Sequence, residues 1–578
     1  MLEKASKVFN TVRHMTPRQW RYRLYYMARN KLSKRRVVKT PDDIATFQLP
    51  TYYSADIGNT EAVKVADGII RNQIPTVSGR LVEFNGDWNL KGETYRLISF
   101  KLNSFRWLLD LSDAYKVTGD RKYIDKGFEL IDNWWNKCGS RISGDRWNAY
   151  VIAERITNWI SFVSEYGKDR ADEYAKMIYP QAVELENSLE YQLGANHLLS
   201  EAKGLIFAGT FLGNAEIYMT GKKLLMDEWK EQFLPDGGHY ERSVSYHVES
   251  LQQYFESYVV LKEKGDPDAE IFIDFMREPY KFLNGMIGVN GKIPLFNDAA
   301  YDYPFYDARD FLSTARLIYS STPPCGNQGN YYKRWNWIGE GSVFIDWRSR
   351  QYYPETGFIH YQFAVHGKKY SFFMDCGDNG PDYNLGHTHA DALSVLLYAE
   401  DKEIFVDSGV MTYKPESGRD ICRSTKAHNT VEVDGKNNAE IWSAFRVARR
   451  GHTKLVTCKF VDGLRVQATY DGYKKILKDP VKHIREVIIR GNQIEIIDRI
   501  EGREKHHAIS RLHLSPDCRD IEGLNPLLVD KHITVESDGQ QRTRDCQIAE
   551  NFGIVRKSRC IEIDFNGSNS LKSIIKIG

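Results

Sequence analysis

The sequence predicts two structural classes in series, a helical half followed by an antiparallel β half. Two periodicities and one linker carry that prediction. Apolar residues recur at helical spacing from about residue 95 to 320 and alternate with period two from about 335 onward. Between them lies the loop-like run Thr322-Pro323-Pro324-Cys325-Gly326-Asn327-Gln328-Gly329-Asn330. The expected division is a basic helical segment at 1–40, an α domain at 41–325 and a β-sandwich domain at 335–578. A chain of 578 residues has room for these parts. With 42% hydrophobic and 27% charged residues, it is neither disordered nor fibrous.

The first segment is basic and aromatic. Arg13, Arg18, Arg21, Arg23 and Arg29 interleave with Trp20, Tyr22, Tyr25 and Tyr26. A membrane-surface or partner-binding helix has this composition. So does a terminal helix docked on the body of the protein, which is the favoured reading. The segment lacks the apolar core of a secretory signal. No apolar run reaches the roughly 18 residues of a membrane helix. A cytoplasmic or peripheral protein without an integral membrane segment is expected.

In the helical half, Ile152, Ile156, Trp159 and Val163 form one stripe; Val244, Val248, Leu251, Phe255 and Tyr258 form another. Three similar stretches read as helix ends on glycine: Thr118-Gly119-Asp120, Thr220-Gly221-Lys222 and Lys264-Gly265-Asp266. Stacked helical hairpins follow, as a solenoid or a closed α/α toroid. In the β half, Ile484 to Ile500 is two alternating segments around Gly491-Asn492, a hairpin signal. His452 to Tyr470 and Gly553 to Phe565 also alternate, and an antiparallel sandwich is expected.

Charge narrows the function. Lys and Arg number 79 against 77 acids, a net of +2, so no chain-wide field points to nucleic acid. Aromatics at 13% suit a cleft that stacks sugar rings. Eight cysteines without a C-x-x-C argue for free thiols and against a zinc ribbon or thioredoxin motif.

Three segments could carry chemistry. In Gly194-Ala195-Asn196-His197-Leu198-Leu199-Ser200-Glu201, Asn196 could cap a helix, and His197 and Glu201 would share a face. In Asp236-Gly237-Gly238-His239-Tyr240-Glu241-Arg242-Ser243-Val244-Ser245-Tyr246-His247, Tyr246 falls opposite the apolar stripe. It is there with Glu249, Ser250 and Gln253, as a surface or cleft-facing phenol. In Gly386-His387-Thr388-His389-Ala390-Asp391, the two histidines would point the same way on a strand. Asp407-Ser408-Gly409 and His428-Asn429-Thr430 follow at strand ends, and two His with one Asp make a reasonable Zn²⁺ set.

Together these segments resemble the heparinase II/III family of polysaccharide lyases, over roughly residues 85 to 515. The resemblance implies an incomplete (α/α) toroid followed by an antiparallel β-sandwich, and a bacterial enzyme. Its implied activity is β-elimination at a uronic acid in a heparin/heparan-like or capsule polysaccharide. It also implies Asn196 as neutraliser of the substrate carboxylate, and Tyr246 and His387 as the proton-transfer pair, Tyr246 as acid and in some members also as base, the C5 configuration deciding which of the two takes the proton. His389, Asp407 and His428 are implied as a structural zinc site, with no organic cofactor. Glu201, Arg242 and His247 are candidates for orienting or binding the substrate, and Trp88, Arg96, Trp147 and Asn148 for sugar contact. Two other readings stay open. A glycoside hydrolase would need two carboxylates flanking the bond, among them Glu154, Glu241 or Asp298. A glycan-binding protein of polysaccharide assembly would need no catalysis at all.

Overall fold

The computed structural model describes residues 2–32, 44, 46–49, 59–77, 79–90, 95–303, 307–415, 418–518 and 521–578. The expectation for residues 33–40 lies outside them.

The helical half is a set of antiparallel hairpins. Helices Ala149–Tyr166, Ala195–Phe211 and Val244–Lys264 are buried on nearly every face. Their followers, Ala171–Glu186, Ala215–Gln232 and Ala269–Gly285, each bury only part of their surface. Helices buried all round belong inside and half-buried ones outside, so the two sets are the inner and outer rings of a toroid. Burial on every side also replaces the expected stripe on Val244–Lys264: Tyr246 sits in the interior, not on a polar surface.

Gly119 and Gly265 end helices at φ +71 and +69, as the turn pattern requires. Gly221 does not. The helix Ala215–Gln232 runs through it, and the break comes earlier, where Asn214 caps by accepting from the Ile217 N–H. Gly221 is there because a Cβ would stand 2.7 Å from the Ala202 carbonyl, on the neighbouring inner helix. Gly209 makes the reciprocal approach, its Cβ position 2.3 Å from Tyr218 N. Close helix packing and helix termination select the same residue, and the sequence pattern cannot separate them.

The β half contains three main antiparallel sheets, of five, seven and four strands. In the five-stranded meander, Ile359, Phe372, Met374 and Leu397 enter the sandwich core, while Phe358, Phe373, Leu396 and Tyr398 join the helical core. This sheet is buried on both faces, which explains its continuous apolar runs. The Gly491-Asn492 turn joins Lys482–Arg490 to Gln493–Glu501 as expected. The short helix Asn330–Trp335 follows the loop at 322–330 and still packs, through Tyr331 and Trp335, into the helical core. All eight cysteines are free.

Helices α1 (Leu2–Val12) and α2 (Pro17–Leu32) dock across both halves. Gln19 donates to the Tyr383 carbonyl in the β half, and Tyr26 to the Leu189 carbonyl in the helical half.

Candidate active site

The inner helices begin at one end of the toroid, beneath the loops of the β half. Asn148 precedes the first, Asn196 lies in the first turn of the second, and Tyr246 in the first turn of the third. Asn196 does not cap its helix; Gly194 does, because the backbone turns there at φ +75 and +55 through Gly194 and Ala195. Asn297, which delivers Asp298, has φ +58. A non-glycine residue held this way costs about 1–3 kcal/mol and is tolerated where a site must be shaped.

A continuous polar chain runs through these ends. Asn196 Nδ2 donates to Glu249 Oε2 at 3.0 Å, and Tyr150 to Glu249 Oε1 at 3.4 Å. The Tyr150 ring stacks on His197 at 4.6 Å. His197 Nδ1 donates to Glu190 Oε2 at 2.6 Å, and Asn148 Nδ2 to Glu190 Oε1 at 2.9 Å. Glu249 is one helical turn from Tyr246, which links this chain to a second cluster. There the Tyr246 ring stacks on His387 at 3.7 Å, and the hydroxyls of Tyr246 and Tyr413 share a hydrogen bond of 2.8 Å. The structure therefore brings Asn196, Tyr246 and His387 to one place. His387 and His197 keep 14% and 30% of their side chains exposed, which marks the open side.

Asp298 organises the second cluster. It accepts from His387 Nδ1 at 2.9 Å, from His389 Nε2 at 2.7 Å and from both arms of Arg419. The two histidines are on a loop rather than a strand, and they converge on this one carboxylate instead of a shared ligand. Burial alone would raise the Asp298 carboxyl; the Arg419 charge and the imidazole bonds overcome it and hold it far below the usual range. An ionised Asp298 can only accept, so His387 carries its proton on Nδ1 and keeps a lone pair on Nε2 when neutral.

Other groups are tuned by burial. Tyr246 is pushed well above the ordinary phenol range by burial, with Tyr413 adding to it, so it is a protonated phenol. Burial pushes Glu241 up to about 7 against the pull of His387, and its Oε2 has no hydrogen-bond partner among the described residues, with His239 Nδ1 at 3.9 Å. Burial also raises Glu249, though Lys101 opposes it. At Glu190 burial would raise the carboxyl, yet His197 overcomes it and lowers it; His197 is raised in return.

His389, Asp407 and His428 are fully buried, and one ligand atom from each lies within 4.8 Å of the others. His428 Nδ1 donates to Asp407 Oδ2 at 2.7 Å. His389 Nδ1 and His428 Nε2 have no partner among the described residues. Two orphaned imidazole nitrogens beside a carboxylate, all in the dry interior, are a donor set that suits Zn²⁺.

Several expected substrate contacts lie elsewhere. His247 is buried between Phe233 and Phe282 and donates to the Pro279 carbonyl; burial pushes its pKa down to about 3. Trp88 stacks on Phe105 inside the core, and Trp147 is buried with its indole N–H on the Cys138 carbonyl. Arg242 donates to the carbonyls of Thr356, Asp378 and Glu355 and braces the two halves. Arg96 is exposed and pairs with Asp145, just before Asn148. Glu201 accepts from the Glu190 N–H rather than pairing with His197. Of these candidates, Asn148 and Glu201 touch the polar chain, both at Glu190, Asn148 at its carboxylate and Glu201 at its backbone N–H. Of the carboxylates considered for hydrolysis, Asp298 is committed to Arg419 and Glu154 lies beside Lys203 at 3.8 Å in the buried toroid, while Glu241 keeps one oxygen without a hydrogen bond among the described residues. Sequence reasoning missed Glu190, Tyr413 and Arg419, and gave Glu249 no role. Glu249 alone left a signal, since it shares a helix face with Tyr246.

Two sequence-family models match the chain: the heparinase II/III N-terminus over residues 7–317, and heparinase II/III-like, C-terminal over 348–575. A heparin-sulfate lyase of Bacteroides thetaiotaomicron is 24% identical over 408 residues, 62% of this chain and 54% of that protein. One from Pedobacter heparinus is 23% identical over 371 residues, 61% of this chain and 53% of that protein. The chain thus spans about half the length of the curated relatives it matches. A crystal structure of heparinase III superimposes with a TM-score of 0.71 at 18% identity, covering 98% of this chain and 93% of that one. The heparan sulfate lyase HepC from Pedobacter heparinus gives 0.59 at 17% identity, covering 96% and 88%. At such identities the likeness is one of fold, a toroid followed by a β-sandwich.

Proposed function

The chain belongs to the heparinase II/III family, and from that membership we propose that it is a polysaccharide lyase, cleaving a uronate-containing glycan of the glycosaminoglycan class by β-elimination. The observation that carries the proposal is the convergence of a neutral amide, a protonated phenol and a carboxylate-bound imidazole at one cleft. Elimination needs these three capacities. The C5 proton of a uronate is weakly acidic, so the carboxylate beside it must be neutralised as charge develops. Asn196 has a second amide proton to offer beyond the one given to Glu249. The Nε2 lone pair of His387 takes the C5 proton. The electron pair left at C5 forms the C4–C5 double bond as the C4–O4 bond breaks. The Tyr246 hydroxyl protonates the departing O4, and Tyr413 stands at hydrogen-bond distance to restore that proton.

His389, Asp407 and His428 would hold the zinc. Bound there, it supplies a positive charge and a rigid cross-link between loops, and takes no part in the proton transfers. Hydrolysis is disfavoured because it needs two carboxylates flanking the bond, and with Asp298 held by Arg419 and Glu154 beside Lys203 only Glu241 of the three candidates is left.

The test is the ultraviolet chromophore of the unsaturated uronate, followed on heparan sulfate, chondroitin sulfate, hyaluronan, alginate and capsule polymers. Wild-type protein is expected to generate it on at least one of these. Tyr246→Phe, which removes one oxygen from a well-packed ring, is expected to abolish it. An undiminished rate in Tyr246→Phe would remove the phenol from the mechanism.

A further inference from the structure

Helix α2 is mounted with its apolar side outward. Its inward contacts are mostly polar: Arg18 pairs with Glu228 and Glu231, Gln19 donates to the Tyr383 carbonyl, Tyr26 to the Leu189 carbonyl, Arg29 pairs with Glu184 and Arg23 reaches the Gln192 carbonyl at 3.5 Å. The Tyr22 ring against Tyr191 at 4.4 Å is the aromatic exception. A surface helix normally buries its apolar stripe and shows water its charges. Here, at 100° per residue, Trp20, Leu24 and Met27 share the outer face, and they are 43%, 58% and 56% exposed. Arg21 and Arg23, both exposed, flank them, and α1 adds exposed Val8 and Phe9. The ion pairs beneath hold the helix in this orientation.

The charge here is as one-sided as the hydrophobicity. Among the first 39 residues twelve are Lys or Arg and one, Glu3, is acidic, although the whole chain is nearly balanced at +2. The helix α2 has no acid at all. Apolar and aromatic tips bordered by arginines, with no acid among them, are the pattern of a helix lying in a bilayer interface. The tips enter the acyl boundary, while the arginines stay at the level of anionic headgroups. No described helix is long and apolar enough to cross a membrane, so attachment would be peripheral.

We propose that the outer face of α1 and α2 is a docking surface for an anionic lipid bilayer, with Trp20, Leu24 and Met27 as the inserting residues and Arg21 and Arg23 as the headgroup contacts. The inward side of α2 touches Leu189 and Tyr383, next to the loops that carry Glu190 and His387. Docking therefore sets the mouth of the cleft beside the bilayer. Catalysis is not a premise of this proposal.

The experiment is co-sedimentation of the full chain with vesicles of phosphatidylcholine alone and of phosphatidylcholine mixed with phosphatidylglycerol. Binding to the mixed vesicles, weakened by salt, is expected. The triple variant Trp20→Ser, Leu24→Ser, Met27→Ser is expected to bind at least about tenfold more weakly, since each loses apolar surface that would enter the interface. Arg21→Glu with Arg23→Glu is expected to abolish binding. All these positions are exposed, and circular dichroism of each variant checks the fold. Three results would overturn the proposal: no binding of wild type to anionic vesicles, equal binding by the serine variant, or a wild-type dimer that the serine variant dissolves without any vesicle binding.

Discussion

Asn196 serves a uronate only if its amide nitrogen, not its oxygen, meets the substrate. Glu249 fixes that choice, because a carboxylate can accept from Nδ2 and offers nothing to Oδ1 unless protonated. Glu249→Gln can donate as well as accept, so the amide loses its fixed sense. A hydrogen bond to a charged group contributes about 1.5–3 kcal/mol, and the predicted effect on kcat is a loss of about tenfold to a hundredfold. Steady-state rates against the same variant's melting temperature distinguish this from unfolding. Glu190 and His197 make a prediction in pH. The lowered Glu190 contributes stability above its unfolded value of 4.5 that is lost as pH falls through its folded value. The raised His197 contributes stability below 6.5 that is lost as pH rises through its folded value. The melting-temperature gap between wild type and His197→Gln is therefore largest between pH 4.5 and 6.5 and closes toward alkaline pH. Asn196, Tyr246 and His387 each sit in a short motif, and the family resemblance carried by those motifs pointed to them. Glu190 and Tyr413 could not be read that way: they reach the site through loop geometry that leaves no periodic trace.

At the scale of elements, the Asp236-Gly237-Gly238…Arg242 stretch joins the halves. Asp236 accepts from the Glu355 and Thr356 N–H groups and from the Thr356 hydroxyl, all at 2.8 Å. A Cβ on Gly238 would fall 1.9 Å from Thr356 Oγ1, so the backbone must pass bare. Arg242 completes the joint with its three carbonyl contacts. Arg242→Met keeps the stem and removes the donors; it is predicted to destabilise the protein by about 2–4 kcal/mol in denaturant unfolding while leaving kcat near wild type well below the transition. A selective loss of kcat with stability unchanged would return Arg242 to the substrate. The motif was legible in sequence, but its role was not, since a conspicuous Arg after paired glycines reads equally as ligand or brace. Gly221 shows the same ambiguity among helices, and Tyr246 a related one: a stripe of apolar residues defines a face only on a helix that has a solvent side.

Over the whole molecule, the change of period near residue 330 was enough to foresee helices followed by antiparallel sheets. The packing between them was not foreseen. It depends on the five-stranded sheet being buried on both faces, where alternation disappears from the sequence. The buried His389, Asp407 and His428 sit on three loops of that β half, and the purified protein is predicted to carry one zinc ion per chain by plasma mass spectrometry. Chelation should lower its melting temperature, and His428→Ala should lose both the metal and the chelator response. The central claim is elimination, and the masses of the two fragments from one cut in a defined oligosaccharide test it most directly. Elimination predicts fragments whose masses sum to that of the parent, one bearing the ultraviolet chromophore. Fragments that together exceed the parent by one water, with no chromophore, would establish hydrolysis and contradict the account.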